Sequence, residues 1–506
     1  MSMAISESES KIGSVVALAK ELDSVVKQAA VEGRSLDETE RDVFSRVLNI
    51  GHAAVEQLLA LQGDGDLGEA VTTEQGVTLQ RSEKPVKRPL RTVLGDHVIK
   101  AFVYAPGPKK KIALRPIDAR LGLSPHRCSY LFEEFSQFFC LEQAFGQAAR
   151  ALEQVLRQKI SVDTLENINR RMGEQAVAFL DDLPTPPAEE EGELLVVTAD
   201  GKGVPLVKND AQKTPWFDKP ERPGNRRIAT LACVYSVDRH VRTPEQIVAA
   251  LFRDDEGEKP KDRPRPQFKH VTARFPQRYQ DADEVHASTG PIEAFCWADA
   301  QVACRRRDGQ TVLRMMDGQK SLWETADLCL DTPAESTVDI LDILHAASYV
   351  WRAAKVFHTH FEHREAFTRD RLLRILQGNV RGVISGLRKM ATLRGLAGQA
   401  CKEIRTICGY FTANAHRMRY DEYLAAGYPI ATGVIEGACR HLVKDRMERS
   451  GMRWRLESAQ QMLHVRAVYQ SSYWDEFQLT RIQQLQTSLH PHRALLGNYH
   501  PAPLTG

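Results

Sequence analysis

The run GVIEGACRHLVKDRMERSGMRW, Gly433 to Trp454, decides how the rest of this 506-residue chain is read. Thr432 stands where a helix N-cap belongs, and Glu436 falls in the first turn after it. On a 3.6-residue wheel Ile435, Ala438, Cys439, Leu442 and Val443 form one apolar arc, with Glu436 at its edge. Arg440 and Lys444 follow Glu436 at i+4 and i+8, and Arg446, Arg449, Arg453 and Arg455 crowd around Trp454. An acid at a core boundary followed by a dense basic run suits a metal-binding carboxylate at the lip of a nucleic-acid groove. Taken alone, the same residues also suit an acid stabilised by the helix dipole and paired with Arg440.

Working upstream, 352–430 reads as almost wholly helical and basic, an insertion ahead of the Glu436 helix. Before it, buried strands alternate with helices. ELLVVTAD is apolar from Leu194 to Val197 and is expected to end at Asp200, followed by Gly201 and Gly203. IATLACVYSV, from Ile228, is a second strand, and VLRMM, from Val312, runs into Asp317-Gly318. STVDILDILH, from Ser336, carries Asp342 near its end and His345 one helical turn later. Two buried strands ending in Asp-Gly, with a helix bearing Glu436, suit two-metal phosphodiester chemistry, which needs carboxylates converging on ions about 4 Å apart. Asp-Gly alone is an ordinary turn dipeptide. The glycines are expected to leave room for a phosphate or backbone to approach.

LPTPPAEEEGE, from Leu183, is a Pro-rich acidic break and is read as a domain boundary. Ahead of it AARALEQVLRQ and SVDTLENINRRMGEQ flank a short connection at helix-turn-helix spacing. Ser161 would cap the second helix, with Asn167, Arg170 and Arg171 placed to meet DNA. A plain helical hairpin shares the pattern. Residues 1–62 are expected to be helical, with Ser35 and Glu38 at capping-box spacing, and to pack on the protein's own body or on a second copy. Gly-, Thr- and Gln-rich sequence from Gly63 reads as a linker, and RTVLGDHVIKAFVYA as a hairpin around Gly95-Asp96.

The resulting fold class is multidomain α+β: a helical N-terminal region with a helix-turn-helix, then an RNase-H-like α/β catalytic core interrupted by an all-helical insertion. The expected division is 1–62 helical, 63–115 linker and hairpin, 116–182 DNA-binding helices and 193–351 first part of the core. It continues with 352–430 insertion, 431–480 C-terminal core helix and 481–506 tail. Net charge is only +2, so any nucleic-acid affinity must come from local clusters. Nine scattered cysteines without a C-x-x-C pair argue for a reducing compartment and against a zinc ribbon. No run is apolar enough to span a bilayer, and no P-loop, dinucleotide fingerprint or G-x-S-x-G appears. A cytoplasmic protein without membrane contact or nucleotide cofactor is expected. His358, His360 and His363 lack metalloprotease spacing, and Arg305 to Arg307 read as a solvated charge run.

The Glu436 segment closely resembles the C-terminal catalytic segment of Kra-type bacterial insertion-sequence transposases, of the DDE class. The resemblance continues through DGKGVPLVK (from Asp200), YSVDRHVRTPEQIVAALF (from Tyr235), MMDGQKSLW (from Met315) and DILDILHAASYVWRAAKVFH (from Asp339), over roughly the last three-fifths of the chain. It implies Asp200, Asp317 and Glu436 as catalytic and metal-binding acids, with Mg²⁺ as cofactor and Mn²⁺ as substitute. Asp342 competes for the second place through its D-x-x-H pairing with His345. By analogy with Mutator-like and hAT-like relatives, Asp342 and His345 would support the site from behind. The implied partners are double-stranded DNA, as element ends and target, and further copies of the chain on that DNA in a bacterial nucleoid. Arg440, Lys444, Arg449, Arg453 and Trp454 are expected to grip DNA. A transposase-derived regulator without catalysis and a stand-alone RNase-H-like nuclease are the competing readings.

Overall fold

The computed structural model describes residues 14–213, 224–254, 263–281, 284–288, 290–449, 451–497 and 499. They form a mixed α+β protein that parts into two units, one of residues 1–168 with 475–506 and the other of residues 169–474.

The smaller unit begins with a helical pair. Ser14 caps α1 (Val15–Glu32), which stops at Gly33 in the left-handed conformation, and Ser35 caps α2 (Leu36–Ala60) by accepting from the Glu38 amide. The stretch after α2 is folded, where a linker was expected. Strands β1 (Ala70–Thr72), β2 (Thr78–Arg81), β3 (Val86–Thr92), β4 (Gly95–Ala101) and β5 (Tyr104–Ala105) make two small antiparallel sheets. Leu79, Tyr104, Leu114 and Ala119 make one buried cluster there, and Leu90, Ile99, Ala101 and Ile117 another. Short strands carry too few apolar residues to stand out in a Gly- and Thr-rich run. The β3–β4 hairpin turns through Val93-Leu94, with Gly95 at φ 130° beside them. Helices α3 (Pro116–Leu121), α4 (Tyr130–Glu142) and α5 (Phe145–Leu156) come next. Ser161 caps α6 (Val162–Asp181) through the Thr164 amide at 3.2 Å, and the division between the units falls inside α6. The C-terminal stretch is no tail: a helix spans Trp474–Leu489, and Arg481 on it forms a buried ion pair with Glu133 of α4.

In the larger unit, β6 (Leu194–Pro205) runs on five residues beyond Asp200. Gly201 and Gly203 lie inside the strand, paired with β7 (Arg226–Val237), and α7 (Lys208–Lys213) lies between the two in sequence. After α8 (Pro244–Phe252) comes β8 (Gln267–Arg274), a strand hidden in the charged, proline-broken sequence from Arg253. β9 (Gln277–Asp281) and β10 (Glu284–Ser288) pair as a small hairpin, succeeded by α9 (Gly290–Arg305), β11 (Val312–Met316), α10 (Lys320–Cys329) and β12 (Thr337–Leu341). The sheet order is β12-β11-β6-β7-β8: an antiparallel meander extended by two parallel strands, with helices α9 and α10 as crossovers. Leu194–Val197, Val312, Leu313, Met315 and Met316 are buried, as continuous apolar runs in a covered sheet must be.

Arg305 to Arg307 are not a solvated run. Arg305 is buried against Glu191 at 2.8 Å, and Arg307 donates to the carbonyls of Ala188 and Gly192. The acidic break expected to separate domains is thereby tied to the sheet of the larger unit. α11 (Ile343–Phe357) leads into α12 (Phe361–Leu376), α13 (Val380–Leu393), α14 (Gly398–Asn414) and α15 (Tyr420–Ala425). The unit closes with α16 (Gly433–Ala438), the short α17 (Asp445–Met447) and α18 (Leu456–Gln470).

Candidate active site

Strand register assembles the acids. Ala199 of β6 pairs with Met316 of β11, and Met316 pairs with Leu341 of β12. The next residues along these parallel strands are Asp200, Asp317 and Asp342, so three aspartates stand in one row across adjacent strands. Neighbouring strands lie about 4.8 Å apart, and the row falls at the carboxyl edge of the parallel strands, where open α/β sheets bind ligands.

The three are not equivalent. Asp342 is fully buried and caps α11. Its Oδ1 accepts from the amides of Leu344 and Thr432, both at 3.1 Å. Its Oδ2 accepts from the His345 amide at 3.3 Å and faces His345 Nδ1 at 3.0 Å. Those four bonds occupy the roughly four lone-pair sites of a carboxylate. Asp317 is half-buried, its Oδ1 accepts from the Gln319 amide at 2.8 Å, and His345 Nε2 lies 3.8 Å from its Oδ2. Asp200, also half-buried, accepts from the Gly201 amide at 2.7 Å and from the Cys439 thiol at 3.3 Å.

Glu436 reaches the row from α16, where it is exposed. Ile435, Ala438, Cys439, Leu442 and Val443 are all buried, so the apolar arc holds this helix down as its periodicity requires. Thr432 contributes no side-chain cap; its backbone N–H is held by Asp342 instead. The helix then widens into a π-helical turn over Cys439–Lys444, a distortion common at functional sites and without a sequence signature. Gly318 also has a different partner from the one expected. A Cβ there would lie 2.2 Å from the Tyr410 ring, so the room is filled by α14 of the helical insertion. Tyr410 stacks on Tyr349 with centroids 3.8 Å apart, and its hydroxyl is buried. Neither Tyr410 nor Cys439 stands beside an acid in sequence, and only the fold brings them there.

The basic residues divide. Arg440, Lys444, Arg449 and Arg453 are exposed. Arg440 pairs with Asp445 at 3.6 Å rather than with Glu436, and Arg449 Nε donates to the Asp445 carbonyl at 3.0 Å. Trp454 is a correction: it is 5% exposed, its indole N–H donates to Met447 O, and the Arg446 guanidinium lies over its ring. It also joins Pro205 and Val207 by backbone bonds, so its aromatic face serves the core instead of offering a stacking surface. On α6, Asn167 is exposed, and Arg170 and Arg171 are half-buried. Arg170 lies 3.3 Å from Glu457.

Burial, reinforced by Asp200 and Asp342, pushes the Asp317 carboxyl up, and burial with Asp342 and Asp200 does the same to Glu436. His345 is shifted upward by its bond to Asp342, against burial, with Asp317 and Asp200 adding to the rise. No lysine or arginine pairs with Asp200, Asp317, Asp342 or Glu436 among the described residues. Crowded carboxylates with only a histidine as counter-charge fit a hard divalent cation that takes oxygen ligands. Among the described residues, Asp342, His345 and Glu436 form a three-ligand group with ligand atoms within 4.8 Å of one another. Asp342 would have to surrender an existing bond to join a metal, whereas Asp317 Oδ2 and the Glu436 oxygens would not. His52, Glu56 and His97 form a second such group. Their histidine rings stack at 4.5 Å and 15°, so the in-plane lone pairs do not converge on one ion. The His363 ring meets those of His358 and His360 in T-shaped contacts, with centroids 6.2 and 5.7 Å apart.

No family model matches the sequence, and no curated protein matches it. Among solved structures the chain is similar to the Drosophila P element transposase strand transfer complex, at 12% identity and a TM-score of 0.23, over 73% of this chain and 88% of that one. A score of that size does not establish a shared fold.

Proposed function

We propose that the chain is a divalent-metal-dependent enzyme that cuts and joins DNA, a transposase of the DDE class acting at insertion-sequence ends, with an RNase-H-like core. The observation that carries this reading is the row of Asp200 and Asp317 on adjacent parallel strands, with Glu436 brought to it from a separate helix. The strand order, with a meander on one side of β6 and parallel crossovers on the other, supports the core assignment, and so does the helical stretch between β12 and α16.

In this reading Asp200, Asp317 and Glu436 hold the ions. Mg²⁺, or Mn²⁺ in its place, would supply Lewis-acid activation of the attacking oxygen and neutralise charge at the scissile phosphate. The chain's own residues set the geometry. Asp200 within β6 and Asp317 directly after β11 are fixed more rigidly than loop residues would be. Asp342 holds His345 and the start of the Glu436 helix in register with them. Arg440, Lys444, Arg449 and Arg453 lie near enough in sequence to attract the phosphate backbone, and Asn167, Arg170 and Arg171 are assigned to recognition of element ends.

The test is a set of charge-removing variants of the full chain. Asp200→Asn, Asp317→Asn and Glu436→Gln should each abolish Mg²⁺-dependent nicking and joining of labelled inverted-repeat DNA, leave the protein folded, and lose bound Mn²⁺. Full activity in Asp317→Asn would remove Asp317 from the site. Metal-independent cleavage by the wild type would end the reading as a whole.

A further inference from the structure

On the flank of the Glu436 helix lies a cavity of about 740 Å³, bounded by the start of β8, by α16 and by the turn after α18. Gly433 and Gly437, on either side of Glu436 in sequence, line it and have open space where a Cβ would stand. The other wall is built by an irregularity. β7 and β8 pair at Val234–His270 and again at Ser236–Gln267, so Phe268 and Lys269 together face the single residue Tyr235. Phe268 is held at φ 45°, a conformation that a bulky L-residue adopts only under constraint. Such a bulge re-aims side chains. In a regular strand Phe268 and Lys269 would point to opposite faces; here both line the same cavity. Arg265 lines it as well, and neither the Arg265 nor the Lys269 side chain has a hydrogen bond or ion pair among the described residues. His441 and Tyr473 also line it, with the Tyr473 hydroxyl held by His270 at 3.1 Å.

A half-buried aromatic ring, two cations without a partner among the described residues and a cavity of small-ligand size call for an anion carrying a flat ring. We infer that this cavity receives one unpaired nucleotide of a DNA strand next to the Glu436 site, its base against Phe268 and its phosphates beside Arg265 and Lys269. The inference rests on the proposed action on DNA, and supplies that action with a place for a strand locally opened at the cut. Stacking on a protein ring is sequence-tolerant, so the pocket would grip any base.

The experiment measures binding without metal, in EDTA, by anisotropy of a fluorescein-labelled oligo-dT and an abasic strand of equal length. The wild type should prefer oligo-dT by about fivefold or more, the range expected for one stacked base. Phe268→Ala should bind both strands alike. Phe268→Gly should do the same while folding at least as well as the wild type, because glycine accepts the positive φ without strain. Lys269→Ala should weaken both strands and flatten the salt dependence. Equal wild-type affinity for the two strands, or a preference that survives in Phe268→Gly, overturns the pocket. Displacement of oligo-dT by micromolar free nucleoside triphosphate also overturns it, assigning the cavity to a mononucleotide. A wild type that shows no base preference yet cuts DNA with metal sinks the inference alone, and a wild type that keeps the preference without any cutting sinks only the catalytic reading.

Discussion

Gly318 shows how little freedom the residues around the acids have. Any Cβ there would meet the Tyr410 ring at 2.2 Å, and the Trp323 indole N–H donates to the carbonyl of the preceding Asp317 at 2.6 Å. Gly318→Ala is therefore expected to destabilise the larger unit by about 1–3 kcal/mol, the usual cost of overpacking. Pairing it with Tyr410→Leu should recover part of that loss in urea unfolding, and strict additivity would show that the two do not touch. A second residue-scale prediction concerns pH. Burial, with Arg305 nearby, depresses His270 to about 4 from an ordinary 6.5, while Gln301 and Tyr473 hold its ring. The unfolded chain then binds the extra proton, so this contribution is complete above about pH 6.5 and is lost as pH falls toward 4. Stability of the larger unit should drop by roughly 2–3 kcal/mol across that window. His270→Gln should show a shallower slope there, whatever its stability at neutral pH.

At the scale of elements, one aspartate ties two of them together. Asp342 caps α11 through the Leu344 and His345 amides and holds Thr432 at the start of α16. Asn at 342 turns one acceptor into a donor facing other donors, which leaves buried amides unpaired at about 1–3 kcal/mol. Asp342→Asn should therefore lower stability and cut activity about 10- to 100-fold, as losses behind a metal site do, without abolishing it. Complete inactivity in a protein of unchanged stability would make Asp342 a metal ligand. The N-cap of α6 gives a milder case. Ser161→Ala removes the acceptor for the Thr164 amide and should cost about 1 kcal/mol, measurable as a lowered urea midpoint.

At the scale of the whole molecule, the two units give separate handles on stability. The buried Glu133–Arg481 pair joins α4 to the C-terminal helix within the smaller unit, with both side chains at most 3% exposed. Arg481→Leu removes the ion-pair partner of a buried carboxylate, a loss of about 3–5 kcal/mol. Calorimetry of the full chain should show one unfolding transition moving down while the other, belonging to the β6–β8 unit, stays in place. A single transition that shifts as a whole would mean that the units unfold together.

The sequence alone determined whatever local chemistry encodes. Unbroken apolar runs marked β6, β7 and β11, helical periodicity marked the buried arc of α16, and Ser35 and Ser161 announced helix starts. Asp200, Asp317 and Asp342 were legible as candidates because acids beside buried apolar strands are costly without a use, and Glu436 because it edges the apolar arc of a helix. Register, in contrast, belongs to pairs of strands, so the alignment of three aspartates in one row had no trace along the chain. The same holds for the burial of Trp454 and Arg305, whose types suggested surface roles until partners at Met447 and Glu191 claimed them. The strand at Gln267–Arg274 and the bulge at Phe268 were hidden because charged and proline-rich neighbours mask a short edge strand. Tyr410 is remote from Gly318 in sequence, and such a contact is decided only when α14 packs against the turn after β11.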